Sequence, residues 1–487
     1  LDLSFGLSEI QAVIKSNKNS IFQSNDTSVI RQTIKKYDVY NFLLEIDETN
    51  IVDKSGDVFS FAHVTIPQSI YDMSPYETRI SLHKALARYY ESQLTRDNYP
   101  QLLAKVTRHY LETDWYGKQL YYLEALADLN MRSYFLAEAT SNLERMVKIL
   151  DENEELAEEF GRMHRSDIYR MLGMCLTMRT KLNEGEHYLF LALQCLDSPW
   201  PRSDLEFGIK FWRNRFIQYR HRKYVRMTMI VKPLKERKAQ SAQRIVEIMA
   251  QLSNIYFYTG KGRDFIYSCL IGLNACERLR DTGPNYSLFL ARFSLVCWLN
   301  DQKENSIFYI TKALQQVEEK ADAGTFTICA LLCFAAGRFE NARNLLYQSI
   351  QVVKVFGVVT DCQAFYRSVG LAITMRIFEG TLDQSPAELA LLKQMADTAH
   401  MNGDYEAEIW LSVYHICNGI VVDRIRDCEP FVVLVEAHLK QAADYNKIAM
   451  HGALIAYYAR AGRYDLAKRH IRHLNNVLPT LTVTGML

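Results

Sequence analysis

The sequence has only 10 prolines and 21 glycines in 487 residues, contains no CxxC pair, and has no excess of either charge, with 57 basic against 56 acidic residues. Few helix breakers alongside abundant Leu, Ala, Glu, Lys, Arg and Met exclude an all-β chain and favour helix throughout. A formal net charge of +1 provides no global field toward nucleic acid or membrane, so any such binding has to come from local clusters. The longest strictly apolar run, Ile328 to Ala336, falls far short of the roughly 18 residues that a membrane-spanning helix requires. The ten cysteines (Cys175, Cys195, Cys269, Cys276, Cys297, Cys329, Cys333, Cys362, Cys417 and Cys428) mostly sit in apolar helical runs. They are expected to be reduced core thiols of a cytoplasmic protein. A chain this long exceeds one ordinary core, which predicts a small domain followed by a repeat array or several domains. It starts at Leu1 without a methionine, and the expectation is a piece of a longer protein.

In residues 1–30 Leu7, Ile10, Val13 and Ile14 share one apolar face, and Ser16 to Ser28 reads as a loop. Asp26 and Thr27 can cap a helix whose apolar residues run from Val29 to Leu44. A strand pair is expected at Asn50–Val52 and Val58–Val64, turned by Lys54-Ser55-Gly56-Asp57. Phe59 and Phe61 alternate with Ser60 and Ala62, the period of a strand, and after Pro67 the period becomes helical through Ile66, Ile70 and Met73. Ser74 and Pro75 are expected as cap and first residue of a second helix bearing Ile80, Leu82, Ala85, Leu86 and Tyr89. Helix, hairpin and helix make a winged-helix-like unit, and the domain limits are set at 1–95 and 96–487.

The spacing Phe59, Phe61, His63, Ile66, Tyr71, Met73, Arg79, Leu82, His83, Ala87 resembles the end of the winged-helix domain that follows the ATPase core of STAND-type signalling ATPases. Some of these are multidomain cyclases with a tetratricopeptide-like tail. The order of segments across most of the chain is similar to the region after the ATPase module in the soluble adenylyl cyclase family. That resemblance implies a parent that makes cyclic nucleotide in domains upstream of Leu1, where ATP and a divalent metal would bind. It implies no cofactor, metal or catalytic residue in this chain, which it makes a regulatory part.

From Tyr99 onward the chain reads as paired helices. Leu454, Tyr457, Tyr458, Gly462, Tyr464, Ala467, Ile471, Leu474 and Pro479 fall at the positions of a tetratricopeptide repeat. Gly462 is expected in the left-handed turn between the two helices, and Ile471 and Leu474 in the groove toward a next unit. Incomplete versions of the rhythm occur at Gly173, Gly185, Leu189, Ala192; at Gly260, Phe265, Cys269, Gly272; at Ser306, Ile310, Ala313; at Gly337, Phe339, Ala342, Leu346; and at Gly403, Tyr405. The predicted fold class is mainly α, a winged-helix-like domain followed by an α-solenoid of degenerate helix pairs.

A basic insertion at about 205–240 interrupts the array. Lys210 to Lys238 holds eleven Lys or Arg against one acid, Glu236, interleaved with Phe211, Trp212, Phe216, Tyr219 and Tyr224. The favoured reading is a helical crossover whose aromatics pack inward and whose charges answer the acidic connector Asp151–Glu159, which holds six acids and no base. A protein-docking surface ranks second, and phosphate backbone or anionic lipid last. His63 and His83 have no nucleophile or paired carboxylate beside them, and are read as packing residues. His470 and His473 lack a third ligand and are read as a surface pair, Cys329 and Cys333 as core. Gly260-Lys261-Gly262 fails the spacing of a phosphate-binding loop. The expectation is a non-catalytic interaction module that binds protein partners or other domains of its parent. The rival is the ligand-sensing tail of a transcriptional regulator.

Overall fold

The computed structural model describes residues 4–6, 52–55, 58–61, 65–179, 181–226, 234–279, 283–317, 323–355, 368–372, 375–376, 397, 400–401, 404–440, 442 and 444–477. Three short strands come first: β1 (Ser4–Gly6), β2 (Val52–Ser55) and β3 (Val58–Phe61). The β2–β3 hairpin is antiparallel with Ser55 opposite Val58, and β1 pairs along the other edge of β3. Lys54 and Ser55, expected in the turn, continue the ladder of its first strand. The third strand has no counterpart in the sequence reading, since three residues show no alternation to detect. The helix expected over Val29–Leu44 lies outside the described residues.

Contacts divide the chain into two units, Leu1–Leu129 with Lys148–Leu156, and Asn130–Val147 with Ala157–Leu487. The first unit contains α1 (Thr65–Met73), α2 (Tyr76–Ser92), α3 (Tyr99–Leu111) and all but the last turn of α4 (Tyr116–Arg132). Helix α1 starts ahead of Pro67, which sits in the first turn, where a missing N–H removes no helical hydrogen bond. Met73, expected on its apolar stripe, is exposed. Pro75 precedes α2 in an extended conformation (φ −54°, ψ 145°), so the helix starts one residue later than expected. Ala87, Tyr90, Leu103, Val106, Tyr110 and Tyr122 form one core across α2, α3 and α4. Packing is therefore continuous through residue 95, where the sequence suggested a domain limit.

Helices α5 (Leu136–Glu152) and α6 (Glu154–Phe160) lead to helix pairs in the second unit. These are α7 (Arg162–Met178) with α8 (Leu182–Cys195), then, after the single helix α9 (Asp204–Arg226), α10 (Glu236–Tyr258) with α11 (Gly262–Cys276). Next come α12 (Gly283–Leu299) with α13 (Lys303–Val317), and α14 (Ala323–Ala335) with α15 (Phe339–Val355). Helices α16 (Tyr405–Val421) and α17 (Glu429–His438) precede the last pair, α18 (Asp444–Arg460) with α19 (Tyr464–Val477).

One turn chemistry recurs. The amide donates five residues back at Lys181→Leu176, Lys261→Tyr256, Gln302→Cys297, Arg338→Cys333 and Arg463→Tyr458, at 2.8–3.0 Å. Gly260, Asp301, Gly337 and Gly462 hold the left-handed residue these turns require, with φ between 54° and 73°. Each pair packs lengthwise, and α7 and α8 meet α10, α10 and α11 meet α12, and α12 and α13 meet α14. The architecture is an α-solenoid of degenerate helix pairs. In the last pair Leu454, Tyr457, Tyr458 and Ala467 are buried as expected, whereas Ile471, expected to fill a groove, is exposed.

Candidate functional site

Helix α9 lies where the sequence placed an insertion, and it starts from a reciprocal cap. Ser203 Oγ accepts from the Glu206 amide at 3.2 Å, and Glu206 Oε2 accepts from the Arg202 amide at 2.9 Å. Lys210 Nζ then pairs with Glu206 at 2.7 Å and donates to the Pro199 carbonyl at 3.1 Å, which ties the first turns to the incoming chain.

Its inward face is largely polar. His221 Nδ1 is 2.6 Å from Glu277 Oε2, and the Gln218 side-chain amide donates to Glu277 Oε1 at 3.3 Å and to the Tyr309 hydroxyl at 3.4 Å. Asn274 donates to the Asn214 carbonyl at 2.9 Å, and Arg222 donates to Asn305 Oδ1 at 2.8 Å. Glu277 ends α11, while Asn305 and Tyr309 belong to α13, so this network anchors α9 to two helix pairs. Among its aromatics, Phe207 is the buried one, its ring 4.8 Å from that of Tyr267.

The outward face is apolar. Leu205, Ile209, Trp212, Phe216 and Tyr219 are between 57% and 76% exposed. Their spacings of four, three, four and three place all five on one stripe of a helix. Among the described residues, no other helix exposes more than two large hydrophobic side chains. Arginines border the stripe on both sides: Arg213 and Arg220 follow Trp212 and Tyr219 by one residue, Arg215 and Arg222 by three. The Arg215 guanidinium stands over the Trp212 ring at 5.4 Å, and that of Arg222 over Tyr219 at 5.9 Å. The expectation that the aromatics pack inward is thus corrected for Trp212, Phe216 and Tyr219. Gln218, His221 and Asn214 occupy the inward positions, and a helix held by polar groups there turns its apolar ones to solvent. The side chain of Tyr224 and residues 227–233 lie outside the description.

Other sequence candidates fall elsewhere. His63 lies outside the described residues, and His83 meets His109 instead, Nδ1 to Nδ1 at 2.9 Å. His470, expected at the surface with His473, is buried and meets His451 Nδ1 to Nδ1 at 3.0 Å. In each case a tyrosine seven residues after the first histidine stacks on the second: Tyr90 on His109 and Tyr458 on His470. The sequence carries this in the recurring pattern His83-x-Ala85-Leu86-x-x-Tyr89-Tyr90 and His451-x-Ala453-Leu454-x-x-Tyr457-Tyr458. Burial holds His83 and His451 down to about 4. Cys329 is fully buried and Cys333 half-buried, and burial pushes the Cys175 and Cys269 thiols up to about 12. Lys261 leaves its turn to pair with Glu186 at 3.1 Å. Among the described residues, no helix is long and apolar enough to cross a membrane, and no three His, Cys, Asp or Glu side chains gather as a metal site.

No protein-family model and no curated protein matches the chain. Among solved structures, it is similar to a Rap protein complexed with competence and sporulation factor, with 10% identity over 83% of this chain and 98% of the other and a TM-score of 0.48. It is also similar to a STAND protein with a tetratricopeptide repeat sensor from Pyrococcus horikoshii, with 10% identity, a TM-score of 0.37, and coverage of all of this chain and 63% of that one. The chain thus spans less than two thirds of the STAND protein's length.

Proposed function

We propose that this chain is a non-catalytic, regulatory protein-interaction module and that it docks its partner on the outward face of α9. The observation that carries the reading is the stripe of five exposed large apolar residues on a helix whose inward face is already satisfied by a polar network. Contiguous exposed apolar area of this kind marks an interaction site, and Trp, Tyr and Arg are the side chains that most often dominate binding energy. The module belongs to a larger signalling protein of the STAND type, and the resemblance of Phe59 to Ala87 supports that parent. A soluble adenylyl cyclase-like parent would hold ATP and a metal in its upstream domains, whereas a transcriptional regulator would carry a DNA-binding helix-turn-helix. Reading the gene upstream of Leu1 separates the two, and finding neither removes both.

A photo-crosslinking residue placed at Phe216 tests the docking face, with one at exposed Tyr464 as control. The captured protein is then purified and bound to the chain in solution. Trp212→Ala with Phe216→Ala should abolish that binding with the fold intact; binding unchanged by the pair would refute α9 as the docking face.

A further inference from the structure

The outward face of α9 has the arrangement of one strand of a coiled coil. Spacings of four and three repeated from Leu205 to Tyr219 put Ile209 and Phe216 at the a positions of a heptad, and Leu205, Trp212 and Tyr219 at the d positions. Lys223 takes the next a position and is exposed. The positions that border such a seam, e after each d and g before each a, are then Arg213 and Arg220 on one side, Arg215 and Arg222 on the other. The first heptad carries no arginine at its borders: Glu206 at e is already paired with Lys210, and Gly208 stands at g. Border positions select the partner, because they form the ion pairs between the helices.

Resting on the docking reading above, we infer that the partner of α9 is an amphipathic heptad helix from another protein or domain, with a small apolar seam and Glu or Asp at its own e and g positions. Whether the helices run parallel or antiparallel, the partner's border residues face these arginines, so the charge requirement holds for both orientations. Two arginines are already posed: Arg215 and Arg222 stand against Trp212 and Tyr219, and Arg222 is also held by Asn305. A planar guanidinium fixed this way presents paired donors that match a carboxylate. The same borders act against a second copy of this chain, since a parallel pairing of α9 with itself would set arginine against arginine along the two C-terminal heptads, and an antiparallel one centred on the stripe would do so at Arg213 and Arg215. The bulk of Trp212 and Phe216 favours Ala opposite them, with Leu at the remaining positions of the partner's seam.

Fluorescence anisotropy with the full chain and two synthetic three-heptad peptides tests this. Both have an Ala/Leu seam, one with Glu and the other with Lys at every e and g position. The Glu peptide should bind at least about tenfold tighter, with an advantage that shrinks as salt rises. Arg213→Glu with Arg220→Glu should invert the preference, and Trp212→Ala should weaken both peptides. Circular dichroism checks that the variants remain folded. Equal affinities, no binding of either peptide, or a preference that survives the double reversal would overturn the inference. So would association only with vesicles of equal parts phosphatidylcholine and phosphatidylserine, or self-association through Trp212. If the peptides fail while the crosslinked partner still requires Trp212 and Phe216, the heptad partner is wrong and the docking face stands. If both fail, the docking face is wrong as well.

Discussion

His221 Nδ1 stands 2.6 Å from Glu277 Oε2, and these side chains are only 9% and 5% exposed. This pair, shared with Gln218, is the polar clasp that fixes α9 while its apolar residues face outward. His221→Ala removes one hydrogen-bond partner from a buried carboxylate that keeps the Gln218 amide and the field of the Lys312 ammonium, a loss of about 1–3 kcal/mol. Urea unfolding should show that loss, and amide exchange across α9 should accelerate. A change below about 0.5 kcal/mol would mean that the clasp does not hold the helix.

Two glycines set the closest approach between α7 and α8. A Cβ on Gly185 would stand 2.6 Å from Thr177 Oγ1 and 2.9 Å from the Gly173 carbonyl oxygen, whereas one on Gly452 would meet nothing within 4 Å. Gly185→Ala should therefore cost about 1–3 kcal/mol through overpacking. Gly452→Ala, inside α18, should be neutral or stabilise by up to about 1 kcal/mol through helix propensity. Paired thermal melts of the two variants read the difference directly.

The histidine pairs give the protein an acid-sensitive window. Two imidazoles that meet Nδ1 to Nδ1 need one donor and one acceptor, so the contact is lost when both rings are protonated. Burial holds His83 and His451 down to about 4. For His451, the His470, His473 and Lys447 charges act in the same direction, and Glu436 opposes the shift at His470. Unfolded histidine takes up its proton near 6.5, so the stabilisation is complete above that pH and is lost as pH falls toward 4. Each pair should contribute about 2 kcal/mol to that loss. His451→Gln, which removes one titrating ring, should flatten the fall in melting temperature between pH 6.5 and 4; an unchanged slope would place the sensitivity elsewhere.

Arg213 is exposed on the border of the stripe. Arg213→Glu should change unfolding free energy by less than about 0.5 kcal/mol, as surface substitutions do. A loss of several times that would support the reading in which the basic stretch answers acidic groups of its own chain.

The helix pairs were legible because their turns are local. Gly337 and Gly462 adopt the left-handed conformation that only the turn demands, and small residues at Gly173, Gly185 and Ala467 record close helix approach. The direction α9 faces was not, since its five apolar residues fit the period of any half-buried helix, and only the long-range partners Glu277, Asn305 and Tyr309 decide which side is covered. The histidine contacts were missed for a related reason. His83 and His109 are 26 residues apart, and His451 and His470 are 19 apart, so each contact joins two different helices and no spacing along one helix records it.

The central claim, that α9 turns its apolar stripe to solvent, is tested most directly by hydroxyl-radical footprinting of the isolated chain with peptide-level mass spectrometry. Trp212, Phe216 and Tyr219 should oxidise rapidly while Phe207, buried on the same helix, remains protected. Protection of Trp212 and Phe216 to the level of Phe207 would contradict the account.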